Sequence, residues 1–481
     1  MNFALVSQLL GKVLMLEGAM MAPSLLVSLL YGGSDAPAFL WSMAMVLAAG
    51  GLLALIKPKN DQLRAREGFV VVSVSWILLS VFGAMPFVLS GAIPSFVDSF
   101  FECVSGFTTT GSTLLPDVES LPRGVLFWRS FTHWIGGMGV LVLSLALVPK
   151  MGARSLHLLR AESPGPNPGK LVPRIGNTAK ILYTIYVALT LVQILLLLIA
   201  GMPLYDSLVH SFGSAGTGGF SIYNLSIGHY QNPVFENIIA VFMMLFGINF
   251  TVYYQLITRN FKGVLKNGEL WLYLGIIVAA TLLIALNILP SIEGNLFDAL
   301  RLSYFQVSSV ITTTGYATTD FNLWPQFSRY LLVLLMFVGA CAGSTGGGIK
   351  VIRLEILLKS LARDVKRTIH PRGVKVVKSE GRAVDEPTIN SITVFFFSYI
   401  FIILMATLLV SLDGLSFETS FTATVSAMGN IGPGLDKVGP MGNFSCFSPF
   451  SKIVLSLCML AGRLEIYPIL MLVTPATWKK A

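Results

Sequence analysis

Charge is scarce in this chain. Only 12% of its 481 residues are charged and 54% are hydrophobic, with a mean hydropathy of +0.74. A soluble domain carries about twice that share of charge, so the composition excludes one and describes a polytopic membrane protein. Cysteine is scarcer still. Cys103, Cys341, Cys446 and Cys458 show no close spacing, and no disulfide is assigned to them. The five histidines lack any i, i+4 or Cys-paired arrangement, which argues against a transition-metal site. No Ser/His/Asp set and no complete phosphate loop occurs, so the chain is not expected to be an enzyme or to carry an organic cofactor. A cleavable leader is not expected either: the first apolar stretch is too long, and no small-residue cleavage site follows it.

Long apolar stretches are plentiful, and several exceed the roughly 20 residues that a helix needs to cross a bilayer. Two are expected at about 4–30 and 36–56, followed by eight more, ten crossing helices in total. Those eight fall into four pairs, and between the members of each pair lies a shorter amphipathic stretch ending at a glycine. The endings are Thr109-Thr110-Gly111-Ser112, Gly216-Thr217-Gly218-Gly219, Thr313-Thr314-Gly315-Tyr316 and Asn430-Ile431-Gly432-Pro433. Each short stretch has an acid near its start (Asp98, Asp206, Asp298, Glu418), where a carboxylate favours a helix amino end. About a dozen residues later it stops, too short to span and therefore re-entrant.

Four such segments around an axis would offer backbone carbonyls from four sides, as a selectivity filter does for a dehydrated cation. No Asp or Glu falls within the four quartets, which suits a monovalent ion. Two helices per unit keep successive units in one orientation, whereas an inverted-repeat carrier needs an odd number. The expected fold is therefore an all-α polytopic membrane protein. Four parallel helix–pore-helix–helix repeats surround a central ion pore, with two extra N-terminal helices. The expected divisions are 1–65 for the extension, then 66–150, 151–262, 263–385 and 386–481 for the four repeats. Kinked loops between tightly packed helices are the plainer account of any one motif; the fourfold recurrence favours the pore.

The net charge of +9 is distributed in loops. Lys57, Lys59, Arg64 and Arg66 fall in the first. Lys150, Arg154, Arg160, Lys170, Arg174 and Lys180 fall in another, and Arg259, Lys262 and Lys266 in a third. A dense run extends from Lys350 to Arg382, and Lys479 and Lys480 follow near the carboxyl end. By the positive-inside rule these loops and the amino terminus are cytoplasmic, and the glycine motifs face outside. A nucleic-acid surface would gather such residues on one folded face, so no nucleic acid is expected as a partner. Anionic lipid is an expected contact.

Two further features interrupt apolar helices. Gly339 to Gly348, containing Gly343, Ser344, Thr345, Gly346, Gly347 and Gly348, is too rich in glycine to stay helical. Its resemblance to a phosphate loop fails, because Ile349 precedes Lys350 and no Ser or Thr follows. Close helix packing through small residues is the other account. Arg463 lies near the middle of a helix expected over about 452–474, where an ionisable residue is costly and faces a cavity or a partner. It either repels passing cations and holds the glycine-rich run shut, or makes a structural ion pair, Glu465 of another subunit included, or bonds to loop carbonyls. Glu17 is also intramembrane but lies outside the repeats, and no ion role is assigned to it.

These motifs resemble the bacterial Trk/Ktr/HKT potassium transporter superfamily, and its TrkH/TrkG branch in particular. Besides the four quartets, the resemblance rests on Phe101-Glu102, His133-Trp134-Ile135-Gly136-Gly137-Met138-Gly139, Gly343 through Lys350, and Gly462-Arg463-Leu464-Glu465-Ile466. It covers nearly the whole chain, and the two extra leading helices fit the Trk branch. What it implies is potassium uptake across the bacterial plasma membrane through a gated, channel-like pore driven by the membrane potential. It further implies a homodimer and a cytosolic nucleotide-binding ring of TrkA-like RCK subunits. In the family the stretch matching Gly343–Gly348 obstructs the path below the filter, and Arg463 is its partner in gating. A proton- or sodium-coupled symporter on the same scaffold is the alternative.

Overall fold

The computed structural model describes residues 1–58, 63–139, 175–370, 376–379 and 382–478. Lys59, Lys150, Arg154, Arg160, Lys170, Arg174, Arg372, Lys375, Lys479 and Lys480, and the expected boundary at 150/151, lie outside the described residues.

The chain opens with α1 (Phe3–Met20) and α2 (Ala22–Leu30), which together form one apolar stretch, and with α3 (Ala36–Ala54), which packs on α1. A pattern then recurs four times. It runs first through α4 (Ala65–Gly83), its short continuation α5 (Met85–Leu89), the short helix α6 (Phe96–Phe107) and the outgoing helix α7 (Arg123–Gly137). Next come α8 (Ile175–Ile199), short α9 (Leu204–Gly216) and outgoing α10 (Pro233–Phe246), followed by α11 (Phe250–Ile257) and α12 (Phe261–Leu265). The third pass is α13 (Gly268–Ile288), short α14 (Leu296–Ile311) and outgoing α15 (Gln326–Val338), with the amphipathic α16 (Val351–Ile369) after it. A small antiparallel ladder pairs Lys378–Ser379 with Arg382–Ala383. The last pass is α17 (Glu386–Val410), short α18 (Phe417–Gly429), outgoing α19 (Pro449–Arg463) and α20 (Tyr467–Val473).

Among the described residues, six helices are long and apolar enough to cross a membrane, or seven if the bent pair α10–α11 counts as one. They are the two leading stretches and the first helix of each recurrence. The other four of the ten expected crossing helices are the outgoing ones, and none of them runs on as one long helix among the described residues. Each outgoing helix is only 13 to 15 residues long, a rise of about 20 Å. All four stop at a comparable place. α7 ends before Gly139 (φ +75°) and α15 before Gly339 (φ +73°), while α10 and α11 meet at 91° across Gly247-Ile248-Asn249. The helix expected to run on through 474 breaks after Arg463, because Glu465 and Ile466 take φ +56° and +69°.

The long helices turn large apolar side chains outward: Trp41 is 69% exposed and Phe397 67%. The short helices are buried and rich in small polar residues, Ser105, Ser211, Ser309 and Thr424 among them. Apolar outside and polar inside is the reverse of a soluble core, and it suits a chain whose solvent is lipid.

Candidate functional site

Each short helix starts and ends in a repeated way. Asp98, Asp206, Asp298 and Glu418 lie in the first turns. Ser95, Asn295 and Ser416 cap three of the helices by accepting from free backbone N–H groups. At the other end Thr109, Thr217, Thr313 and Asn430 take φ of +56°, +56°, +59° and +55°. The next amide then turns back five residues: Thr110 to Ser105 O, Gly218 to Gly213 O and Thr314 to Ser309 O, each at 2.8 Å, and Ile431 to Ser426 O at 3.0 Å. This is the Schellman closure of a helix, with Thr or Asn standing where glycine is usual. The residue after that is a glycine at positive φ in every case: Gly111, Gly219, Gly315 and Gly432.

These glycines bring the four turns together. A Cβ on Gly111 would lie 1.9 Å from Gly218 O, one on Gly219 2.0 Å from Thr314 O, one on Gly315 2.1 Å from Ile431 O, and one on Gly432 2.8 Å from Thr110 O. First meets second, second meets third, third meets fourth and fourth meets first, so the contacts close a ring. The carbonyls in that ring belong to Thr110, Gly218, Thr314 and Ile431. The structure therefore sets the second segment one residue later than the quartets suggest. Gly216 is the last residue of α9, Thr217 is equivalent to Thr109, and the ring glycine is Gly219, not Gly218.

A cavity of about 110 Å³ opens at the glycine end of the ring and is lined by Gly111, Gly219, Gly315 and Gly432. No Asp or Glu is among its lining residues. At the helix end of the turns lies the stretch between α15 and α16. Its Gly347 amide donates to Thr313 Oγ1 at 2.7 Å, and a Cβ on Gly346 would lie 3.0 Å from Thr312 O. Gly343, Ser344, Thr345 and Gly348 complete the loop, which is non-helical throughout. Phe250 N–H donates to Gly343 O at 3.1 Å, and Thr345 Oγ1 to Phe246 O at 3.2 Å. Arg463 donates to Thr345 O at 2.8 Å, to Gly136 O at 2.5 Å and to Gly137 O at 2.7 Å. Its guanidinium thus ties the loop to the broken end of α7. Glu465 is bonded instead by Arg353 on α16, at 2.5 Å.

Behind the ring, side chains that sequence reading left without a role brace neighbouring turns. Glu102 accepts from Arg129 Nε at 2.6 Å and from Thr113 Oγ1 and Leu114 N–H at 2.9 Å each. Arg129 reaches on to Ser221 O at 2.9 Å and lies over the Phe220 ring. His133 Nε2 accepts from Phe220 N–H at 3.2 Å, which leaves Nδ1 to donate to Gly106 O at 2.7 Å. Tyr316 reaches the carbonyls of His210 and Phe220, and Asn430 Nδ2 donates to Thr110 Oγ1 at 3.0 Å. In the loops after α18 and α6, the Ser416 and Thr419 hydroxyls hold the Asp436 carboxyl below the usual range, and the Asn224 amide does the same for Asp117.

Four helices direct their negative dipole ends at one ring of carbonyls, and the charged side chain that lines the cavity there, Arg129, is ion-paired to Glu102. The chain agrees with known proteins over its length. The family model described as TrkH, a cation transport protein, matches residues 36–480. The chain belongs to the TrkH family. It is 37% identical to the Trk system potassium uptake protein TrkH of Salmonella typhimurium and 36% identical to that of Escherichia coli K12, with all of each chain covered. The crystal structure of the potassium transporter TrkH from Vibrio parahaemolyticus superposes with a TM-score of 0.89 at 33% identity, again over both whole chains. TrkH-family membership and the apolar helices together make this a multi-pass membrane protein of a transport family.

Proposed function

We propose that this chain takes up potassium through the ring, which acts as a selectivity filter. The observation that carries the reading is the closed order of glycine–carbonyl contacts, 1 to 2 to 3 to 4 to 1. An ion entering the cavity exchanges water for the carbonyls of Thr110, Gly218, Thr314 and Ile431. It then meets those of Thr109, Thr217, Thr313 and Asn430, with Gly216 at the end of α9. The filter glycines Gly111, Gly219, Gly315 and Gly432 let neighbouring segments approach closely enough to share one ion. Neutral donors suit a monovalent cation, and the relatives' names, potassium uptake proteins, support potassium.

The loop Gly343–Gly348 and Arg463 form the gate. The loop lies across the helix end of the turns, and Arg463 puts a fixed positive charge on the exit path while holding Thr345. The basic loops lie in the cytoplasm and the cavity faces outside, in a bacterial plasma membrane. The membrane potential, about 2.3 kcal/mol per charge per 100 mV, drives accumulation. The assembly is a homodimer whose cytoplasmic face, with the lysines and arginines of α16, docks a TrkA-like nucleotide-binding RCK ring.

Expression in a bacterium stripped of its own potassium uptake tests the reading. Growth should be restored at limiting potassium and lost on Gly219→Val. Failure of the unsubstituted chain, expressed with a TrkA-type partner, to restore growth would contradict potassium uptake.

A further inference from the structure

The loop between α15 and α16 is tied down at a second place, away from Arg463. Glu269 lies in the first turn of α13 and is 1% exposed. One of its oxygens, Oε1, accepts from Ala342 N–H at 2.7 Å and from Ile352 N–H at 3.2 Å. Those two amides bracket the loop. Because they share one oxygen, their nitrogens lie within about 6 Å of each other, whereas ten residues of continuous helix would separate them by about 15 Å. Straightening the break between α15 and α16 therefore cannot occur without releasing Glu269. A carboxylate accepting two backbone N–H groups out of water is also among the stronger hydrogen-bonded arrangements available to a protein.

We propose that Glu269 is the latch of this loop: a positioning residue that keeps residues 342–352 folded back on themselves. Its effect on ion flux rests on the loop being the gate; its effect on the loop does not.

The chain carries its own reporter. Cys341 is 1% exposed and sits next to Ala342, its amide bonded to Gly247 O at 3.1 Å. Cys103 and Cys458, 1% and 4% exposed, are equally buried but lie elsewhere, on α6 and α19. Full-length protein in liposomes is treated with a membrane-permeant maleimide, and alkylation of each cysteine is followed by mass spectrometry alongside rubidium flux. Glu269→Ala should speed alkylation of Cys341 by about tenfold or more, the change expected for losing charged hydrogen bonds. It should also speed deuterium exchange of the Ala342 and Ile352 amides, which loss of the nearby charge acting on the thiol alone would not do. Cys103 and Cys458 should keep their rates. Glu269→Gln, which retains an acceptor oxygen but no charge, should give a smaller rise and covers the case in which the alanine variant fails to fold.

An unchanged Cys341 rate in both variants overturns the latch, as does an equal rise at all three cysteines. If Cys341 opens while flux stays at its basal value, the latch stands and the gate reading fails. If deleting Gly346–Gly348 raises flux while Glu269→Ala leaves Cys341 protected, the gate stands and the latch is refuted.

Discussion

At Thr109, Thr217 and Thr313 a β-branched residue holds a left-handed backbone that ordinarily falls to glycine. Each such residue costs about 1–2 kcal/mol, and the cost is offset by the bonds around it, above all the five-residue return of the next amide. Asn430 holds the same conformation in the fourth segment, so the left-handed residue recurs at the equivalent position of all four turns. Gly315→Ser tests how tightly this is built. With a Cβ position 2.1 Å from Ile431 O, serine should push the third and fourth segments apart and lower the potassium-to-sodium flux ratio about tenfold or more. An unchanged ratio would contradict the filter assignment. The glycines were legible in the sequence, but the second segment was not, since Gly216, Gly218 and Gly219 all fit the pattern and only φ separates them. The bracing by Arg129, His133 and Tyr316 was illegible too, because their partners lie 27 to 106 residues away.

Asp436 gives a pH-dependent test at the same scale. Its carboxyl accepts from Ser416 and Thr419 at 2.5 Å each and is held below its unfolded value. A depressed folded pKa contributes stability above the unfolded pKa, about 4. That contribution is lost as pH falls through the folded value. Asp436→Asn should lower the melting temperature at pH 6, with the gap to the unsubstituted chain closing below about pH 4. A gap that stays constant down to pH 3 would contradict the assignment.

Among the elements, the outgoing helices depart most from the sequence pattern. α7, α10, α15 and α19 look long enough to cross when their apolar continuations are counted, yet each breaks. Gly139, Gly247 and Gly339 mark three breaks in the sequence, and the glycine run at 339–348 was readable as non-helical. The fourth has no glycine at its turning residues, Glu465 and Ile466, and was hidden. The breaks leave room at the helix end of the turns for the loop that Arg463 and Glu269 hold. Deleting Gly346, Gly347 and Gly348 should remove the obstruction and raise basal rubidium flux in liposomes severalfold. A silent or blocked pore would count against the loop as gate.

Taken as a whole, the molecule has two faces to satisfy. The leading helices and α4, α8, α13 and α17 are long and apolar enough to cross a membrane, so their length was easy to read from composition. The interior is built from short helices rich in Ser, Thr and Gly, whose closing turns depend on backbone geometry that composition does not encode. What the recurrence could convey was their number and spacing; what it could not convey was how the four turns close on one another. The fold as a whole agrees with that of the Vibrio parahaemolyticus TrkH structure over both whole chains.

The most direct test of a voltage-driven pore is flux in liposomes holding the purified chain under an imposed potential, measured for potassium, rubidium and sodium with and without a proton gradient. Potassium and rubidium should follow the voltage, exceed sodium and ignore the proton gradient. Flux that requires the proton gradient would contradict the pore and make the same scaffold a symporter.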